Sequence, residues 1–188
     1  TAAIRDQSRV AGLPVWRTVT VGDIGPTTNW SEALVGIDTV VHLAARAHVS
    51  SGRNSREEEI TIQRINVAGT ERLFDSAATA NVNRFIFVSS VKAQGERSGN
   101  LPLTTADIPA PEDAYGRSKL QAENLILAGA SRGGPQVVIL RPGFVYGWPW
   151  KGNFSTVVAA VQRGLPLPLG AIRNRRDMIY VGNLSSAI

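Results

Sequence analysis

Four short apolar runs punctuate the chain. Val19-Thr20-Val21 leads into Gly22-Asp23, and Thr39-Val40-Val41-His42-Leu43 lies between Gly36 and Ala44-Ala45. Phe85-Ile86-Phe87-Val88-Ser89 is the third run, and Val137-Val138-Ile139-Leu140 stops at Pro142-Gly143. Apolar side chains on consecutive positions are the pattern of strands covered on both faces. Helix-length segments separate the runs. Strand–helix–strand alternation requires right-handed crossovers, and it predicts an α/β fold with a parallel, doubly wound sheet. Ligands of such sheets lie beyond the carboxyl ends of the strands, so the residues just after each run are the first candidates for a site.

Two helices carry readable faces. Over Glu57–Asn81, a projection at 100° per residue puts Ile62, Ile65, Gly69, Leu73, Ala77 and Ala80 on one side. Gly69 permits close approach to the sheet. Asn66 falls on the same side, either as a buried amide bonded to nearby backbone or as a site residue. Over Asp113–Ala128, Tyr115, Lys119, Ala122 and Ile126 share a face flanked by Ser118 and Leu125, while Glu123 and Asn124 are expected to point away. A lysine within an inward stripe is costly unless its charge is used or its stem snorkels to the rim.

Composition removes several kinds of chemistry. The chain has 188 residues, 43% of them hydrophobic and 19% charged, which suits one globular domain with part of a second. There is no cysteine, so disulfides, thiolate metal sites and cysteine nucleophiles are excluded. The two histidines, His42 and His48, give little scope for a zinc site or a Ser-His-Asp triad. His42 reads as a core histidine and His48 as a loop residue. No apolar run is long enough to cross a membrane, and no export signal is visible, which points to the cytoplasm. The net charge of +5 comes mainly from scattered arginine. Only Arg173-Asn174-Arg175-Arg176 is dense, and it suits a small phosphorylated ligand better than nucleic acid.

Tyr115 and Lys119 sit at i and i+4, with Cβ atoms about 5–6 Å apart on a helix. An ammonium beside a phenol lowers the phenol pKa from about 10, which makes Tyr115 a usable general acid or base. Ser90, just past the third run, is placed to hydrogen-bond the same substrate oxygen. Together these residues describe alcohol–ketone redox chemistry. No side chain accepts a hydride, so a nicotinamide cofactor is required.

Seven ordered blocks now carry a resemblance. They are Gly22-Asp23-Ile24, Val41 to Ala45, Asn66 to Thr70, Phe87 to Ser90, Tyr115-Gly116-Arg117-Ser118-Lys119, Leu140-Arg141-Pro142 through Val145-Tyr146-Gly147, and Arg176 to Val181. In this order they resemble the extended short-chain dehydrogenase/reductases of the nucleotide-sugar epimerase/dehydratase group. The resemblance implies a Rossmann-type sheet and an enzyme acting at C4 of a nucleotide-diphosphate hexose, a UDP-hexose, through a 4-keto intermediate. It implies Ser90, Tyr115 and Lys119 as the catalytic set. For the cofactor it implies Asp23 and Ile24 at the adenine, and Leu43, Ala44 and Ala45 as a floor. Asn66, Val88, Tyr115, Lys119 and Pro142 complete the cofactor site, with Lys119 holding the ribose hydroxyls. For the substrate it implies Ser90, Asn153 and Arg176. Lys92 reads first as a solvated loop residue and otherwise as a substrate or phosphate contact. A homodimer without nucleic-acid or membrane partners is also implied.

The chain departs from that pattern at its start. The glycine-rich turn that cradles a pyrophosphate at a helix N-terminus does not occur, and Thr1 to Arg5 resembles the second strand of the family. The opening β–α unit is therefore expected to be missing. Residues 1–145 are expected to form an incomplete dinucleotide-binding domain, and 146–188 part of a sugar-nucleotide region interleaved with it. Arg5 would pair with a 2′-phosphate and select NADP, Asp6 would accept from free ribose hydroxyls, or both are surface residues. NAD is the expected cofactor, with NADP as the alternative. Val91 and Lys92 stand where dehydratases carry an acidic pair, so water elimination is not expected. A one-way 4-keto-sugar reductase and a non-catalytic nucleotide-binding module are the alternatives to an epimerase.

Overall fold

The computed structural model describes residues 1–6, 17–47, 55–99, 101–148, 153–167, 170 and 175–188. The chain forms two compact units, Thr1–Arg141 and Pro142–Ile188. The first holds strands β1 (Ala2–Ile4), β2 (Thr18–Thr20), β3 (Thr39–His42), β4 (Arg84–Val88) and β5 (Gln136–Leu140). All pair in parallel, β1 with β2, and β3 with β4 with β5. Each predicted run is thus a strand, within a residue or two at its ends.

Helices α1 (Ser55–Ile62) and α2 (Gly69–Thr79) are joined by a π-helical segment, Gln63–Ala68, where one continuous α-helix was expected. Wider π turns advance the phase of the face. Asn66, Val67, Thr70 and Phe74 are buried with Leu73 and Ala77, whereas Ala80, expected on that face, is exposed. Gly69 is required where it stands: a Cβ there would lie 2.5 Å from Ile24 Cγ2, so α2 approaches the loop after β2 rather than the sheet proper. Helix α3 (Val91–Gln94) follows β4 at once, and α4 (Ala114–Ser131) covers the sheet beside α2.

The β3–β4–β5 register places Val40, Phe85 and Val137 in one row and His42 and Phe87 in another on the same face. Phe85 and Phe87 are fully buried there against Leu73, Phe74, Ala77, Ala122 and Ile126. On the opposite face only Ile86 is buried. Val41 is 39% and Val138 40% exposed, so the expectation of strands covered on both faces fails at the flanks of this sheet. The second unit contains β6 (Phe144–Tyr146) paired in parallel with β7 (Met178–Tyr180), and helices α5 (Asn153–Gln162) and α6 (Val181–Ala187). Among the described residues no helix is long and apolar enough to cross a membrane.

His42 is a core residue, as expected, stacked on Phe87 with ring centroids 5.6 Å apart. Thr70 Oγ1 donates to the Asn66 carbonyl at 2.7 Å, so its oxygen accepts from His42 Nε2–H at 2.9 Å. Burial, and then the charge of Lys119, hold the imidazole pKa down at about 3 against an ordinary 6.5. The unfolded chain takes up this proton first, so stability is lost as pH falls below 6.5. From pH 6.5 to 5 the loss is about 2 kcal/mol at 1.36 kcal/mol per pH unit. Urea unfolding at pH 7 and pH 5 should show a steeper fall for the native sequence than for His42→Gln, whose amide still donates to Thr70.

Candidate active site

Two short connections build the site at the carboxyl end of β4. Ser90 leaves the strand in extended conformation and caps α3, its Oγ accepting from the Lys92 amide at 3.2 Å. Asp113 caps α4: one carboxylate oxygen accepts from the Gly116 amide at 2.6 Å and the other from Lys92 Nζ at 2.6 Å. Lys92 also reaches Glu96 at 3.0 Å. The Asp113 hydrogen bond leads in raising the Lys92 pKa, and burial opposes it. Burial acts to raise Asp113, but Lys92 and the Gly116 amide outweigh it and hold the carboxyl below its usual range. The two caps therefore lock α3 against the first turn of α4.

That lock brings Tyr115 to Ser90. The Ser90 hydroxyl acts on the phenol to favour its ionised form, and both side chains are half-buried. Gly116 makes the approach possible, because a Cβ there would run into the Lys92 carbonyl and stand 3.1 Å from Pro111 Cβ. Gly116→Ala should cost about 1–2 kcal/mol, the overpacking exceeding the gain in helix propensity. Thermal unfolding should fall by several degrees.

Lys119 is 2% exposed, yet its ammonium does not face the phenol as the i, i+4 spacing predicted. Nζ donates to the Val88 carbonyl at 2.8 Å and lies 4.1 Å from the centre of the Phe87 ring. Burial lowers its pKa to about 8, with Glu123 opposing the fall. The Tyr115 pKa is raised above 10 rather than lowered. Burial is the main cause. The Ser90 hydrogen bond and the charge of Lys92 act against it, and the charge of Asp113 adds to it. The expected depression by Lys119 is thus corrected: the cation that acts on the phenol is Lys92, one connection away.

The inward amide also resolves. Asn66 Oδ1 accepts from the Arg46 amide at 2.8 Å, and its Nδ2 donates to the Arg46 carbonyl at 3.1 Å and to Ser118 Oγ at 3.0 Å. Its side chain therefore clips the loop after β3 to α4. In that loop Leu43, Ala44 and Ala45 are exposed, forming an open shelf of mostly small residues. Asp23 is exposed and paired with Arg5, Nε to Oδ1 at 2.5 Å, and Ile24 is half-buried beside it. Val88 ends β4 half-buried.

The remaining expected residues belong to the second unit or its edge. Pro142 opens that unit, Arg176 precedes β7 and is exposed, and Asn153 opens α5 with its side chain outside the described residues. His48, Pro149, Trp150, Arg173 and Asn174 also lie outside the described residues.

Sequence reasoning missed a second cluster. Glu123, expected to point outward, is 1% exposed and bound to Arg141 and Ser89. It stands at i+8 from Tyr115 and i+4 from Lys119, so the helical stripe extended one turn further would have included it.

Known proteins share the sequence pattern and the fold of this chain. Residues 2–188 match the NAD dependent epimerase/dehydratase family. A UDP-glucose 4-epimerase of Vibrio cholerae is 43% identical over 173 residues, which are 89% of this chain and 52% of that protein. The structure of MoeE5 in complex with UDP-glucose and NAD superposes with a TM-score of 0.74 at 32% identity, covering 91% of this chain and 56% of that one. The UDP-glucuronic acid 4-epimerase of Bacillus cereus, in complex with UDP-glucuronic acid and NAD, gives 0.74 at 25% identity, covering 91% and 54%. The chain spans about half the length of these relatives. Parallel pairing, the ordered blocks and the family match over 2–188 lead to one conclusion: the chain belongs to the NAD dependent epimerase/dehydratase family.

Proposed function

We propose that this chain carries the nicotinamide-binding and catalytic part of an enzyme that acts at C4 of a UDP-hexose through a 4-keto intermediate. The observation that carries the reading is the convergence of Ser90, Tyr115 and Lys119 around the carboxyl end of β4. The residues present fit a dinucleotide: Lys119 keeps two donors beyond the one spent on Val88, and Leu43–Ala45 form an open shelf. In this reading Asp23 and Ile24 hold the adenine, Leu43, Ala44 and Ala45 the floor, and Val88, Lys119 and Pro142 the nicotinamide side. Asn66 positions the shelf rather than touching the cofactor. When bound, the nicotinamide supplies the hydride acceptor and donor.

Tyr115 takes the proton of the 4-hydroxyl during oxidation and returns it during reduction. Ser90 donates to the phenol and steadies the substrate oxygen. Lys92 is neutralised by Asp113 and Glu96, so it acts on Tyr115 and α3 rather than as a phosphate ligand. Asn153 and Arg176 are assigned to the nucleotide diphosphate. The Arg5–Asp23 pair occupies the arginine that would select a 2′-phosphate, which favours NAD. A homodimer belongs to the same proposal.

The raised pKa of Tyr115 favours a second reading, a one-way 4-keto-sugar reductase, because a protonated phenol is ready to donate to a keto oxygen. The full-length enzyme with UDP-glucose or UDP-galactose and catalytic NAD separates the two. Interconversion of the hexoses without net change at 340 nm supports the epimerase. Stoichiometric NAD(P)H loss on a 4-keto sugar supports the reductase. Tight nucleotide binding with no turnover on either substrate rejects both in favour of a binding module.

A further inference from the structure

A buried ionic network stands behind the catalytic step of the chain without joining it. Glu123 lies one turn beyond Lys119 on α4 and is closed off from solvent. Its two oxygens accept from Arg141 Nε at 3.0 and 3.1 Å, a second guanidinium nitrogen also binds it, and Ser89 Oγ donates to it. Arg141 donates in turn to the buried Gln94 side chain, at the end of α3. Gln94 Nε2 then donates to the Asp107 carbonyl at 2.7 Å, and its carbonyl accepts from the Ala110 amide at 2.8 Å.

These bonds join every segment that meets around Ser90. Ser89 is its neighbour and ends the β4 backbone pairing through the Leu140 carbonyl at 2.7 Å. Arg141 directly follows β5. Gln94 closes the helix that Ser90 caps, and residues 107–110 lead into the helix that carries Tyr115. A fully buried carboxylate is costly to desolvate, and hydrophobic residues of the same volume would hold a core as well. Its geometry here is bidentate and oriented, which fixes direction as well as energy.

We propose that Glu123 and Arg141 are positioning residues that set the Ser89–Ser90 step against α4, and so fix where the Ser90 hydroxyl stands relative to the Tyr115 phenol. The inference deepens the reading of Ser90 and Tyr115 above, but its test needs neither cofactor nor turnover.

The chain has three tyrosines, Tyr115, Tyr146 and Tyr180, so tyrosine labelled with 13C at Cζ gives three signals, and Tyr115→Phe assigns the relevant one. Ser90→Ala should raise the Tyr115 midpoint by removing the hydroxyl that favours the phenolate. Glu123→Gln and Arg141→Lys should raise it in the same direction by at least half of that shift, and the Ser90→Ala/Glu123→Gln double variant should titrate like Ser90→Ala alone. The sign is decisive, because the charges facing the phenol are Asp113 and Lys92, with Lys119 one turn along. Direct loss of a negative charge at Glu123 would lower the midpoint instead. If Glu123→Gln fails to fold, Ser89→Ala removes only the hydroxyl link and should still raise the midpoint. Folded variants with an unmoved or lowered Tyr115 midpoint overturn the proposal and leave the pair a purely structural tie. A full-length enzyme that turns over no sugar, with the NMR shifts as expected, would sink the reaction and leave the positioning role standing.

Discussion

Tyr115→Phe should lower kcat of the full-length enzyme on a UDP-hexose by about 10³-fold, in the middle of the range for losing a general acid–base. The ring stays, so KM for the sugar and the unfolding midpoint should change little. The hydroxyl alone is lost, and with it the phenol on which the Ser90 hydroxyl acts at the end of β4. Because burial raises the phenol pKa, the proton-accepting form is scarce at neutral pH, and the oxidative direction should gain rate as pH rises toward 9. The reductive direction should be flat over the same range. Stopped-flow absorbance of the cofactor, run in both directions, measures both arms. An oxidative rate that falls with rising pH in a folded enzyme would remove Tyr115 as the base.

Lys119→Met should do two opposite things. Turnover should drop by about 10²-fold or more, since the cation assigned to the ribose and to the active helix is gone. Stability at pH 7 should increase. Native Lys119 titrates at about 8, whereas in the unfolded chain it titrates near 10.5. A lowered folded pKa means that the charged form is penalised in the native state, fully below pH 8 and progressively less from 8 to 10.5. The penalty corresponds to about 3 kcal/mol at 1.36 kcal/mol per unit, offset in part by the Val88 hydrogen bond and the Phe87 contact. Methionine fills a similar volume without that cost. Denaturant midpoints at pH 7 and pH 10 should show the gain at the first and most of it lost at the second. Such a trade of stability for a charge in place is common at functional sites. A variant less stable at pH 7 would show that the ammonium is held at no net cost.

Much of this protein could be read along the chain. The apolar runs at 39–43, 85–89 and 137–140 became neighbouring parallel strands, because side-chain pattern and turn chemistry act within a few residues. Tyr115, Lys119 and Ser90 were legible for the same reason: helix spacing and strand ends are local geometry. The faces of Glu57–Asn81 were only half legible. A π segment depends on contacts such as Asn66 with Arg46 and Ser118, which lie 20 and 52 positions away in sequence.

Charge placement escaped the sequence most fully. Spacing put the Lys119 ammonium beside the Tyr115 phenol, yet the folded chain offers it the Val88 carbonyl and the Phe87 ring, and gives the phenol Lys92 instead. Glu123 could not be seen as buried until Arg141 and Ser89, just past the ends of β5 and β4, neutralised and bound it. Local pattern showed which elements form and singled out the residues proposed to carry the chemistry, since a short stretch of backbone and its side chains suffices for that. Only the packed structure decided how each charge is partnered, because a buried ion's energy depends on whatever distant groups surround it.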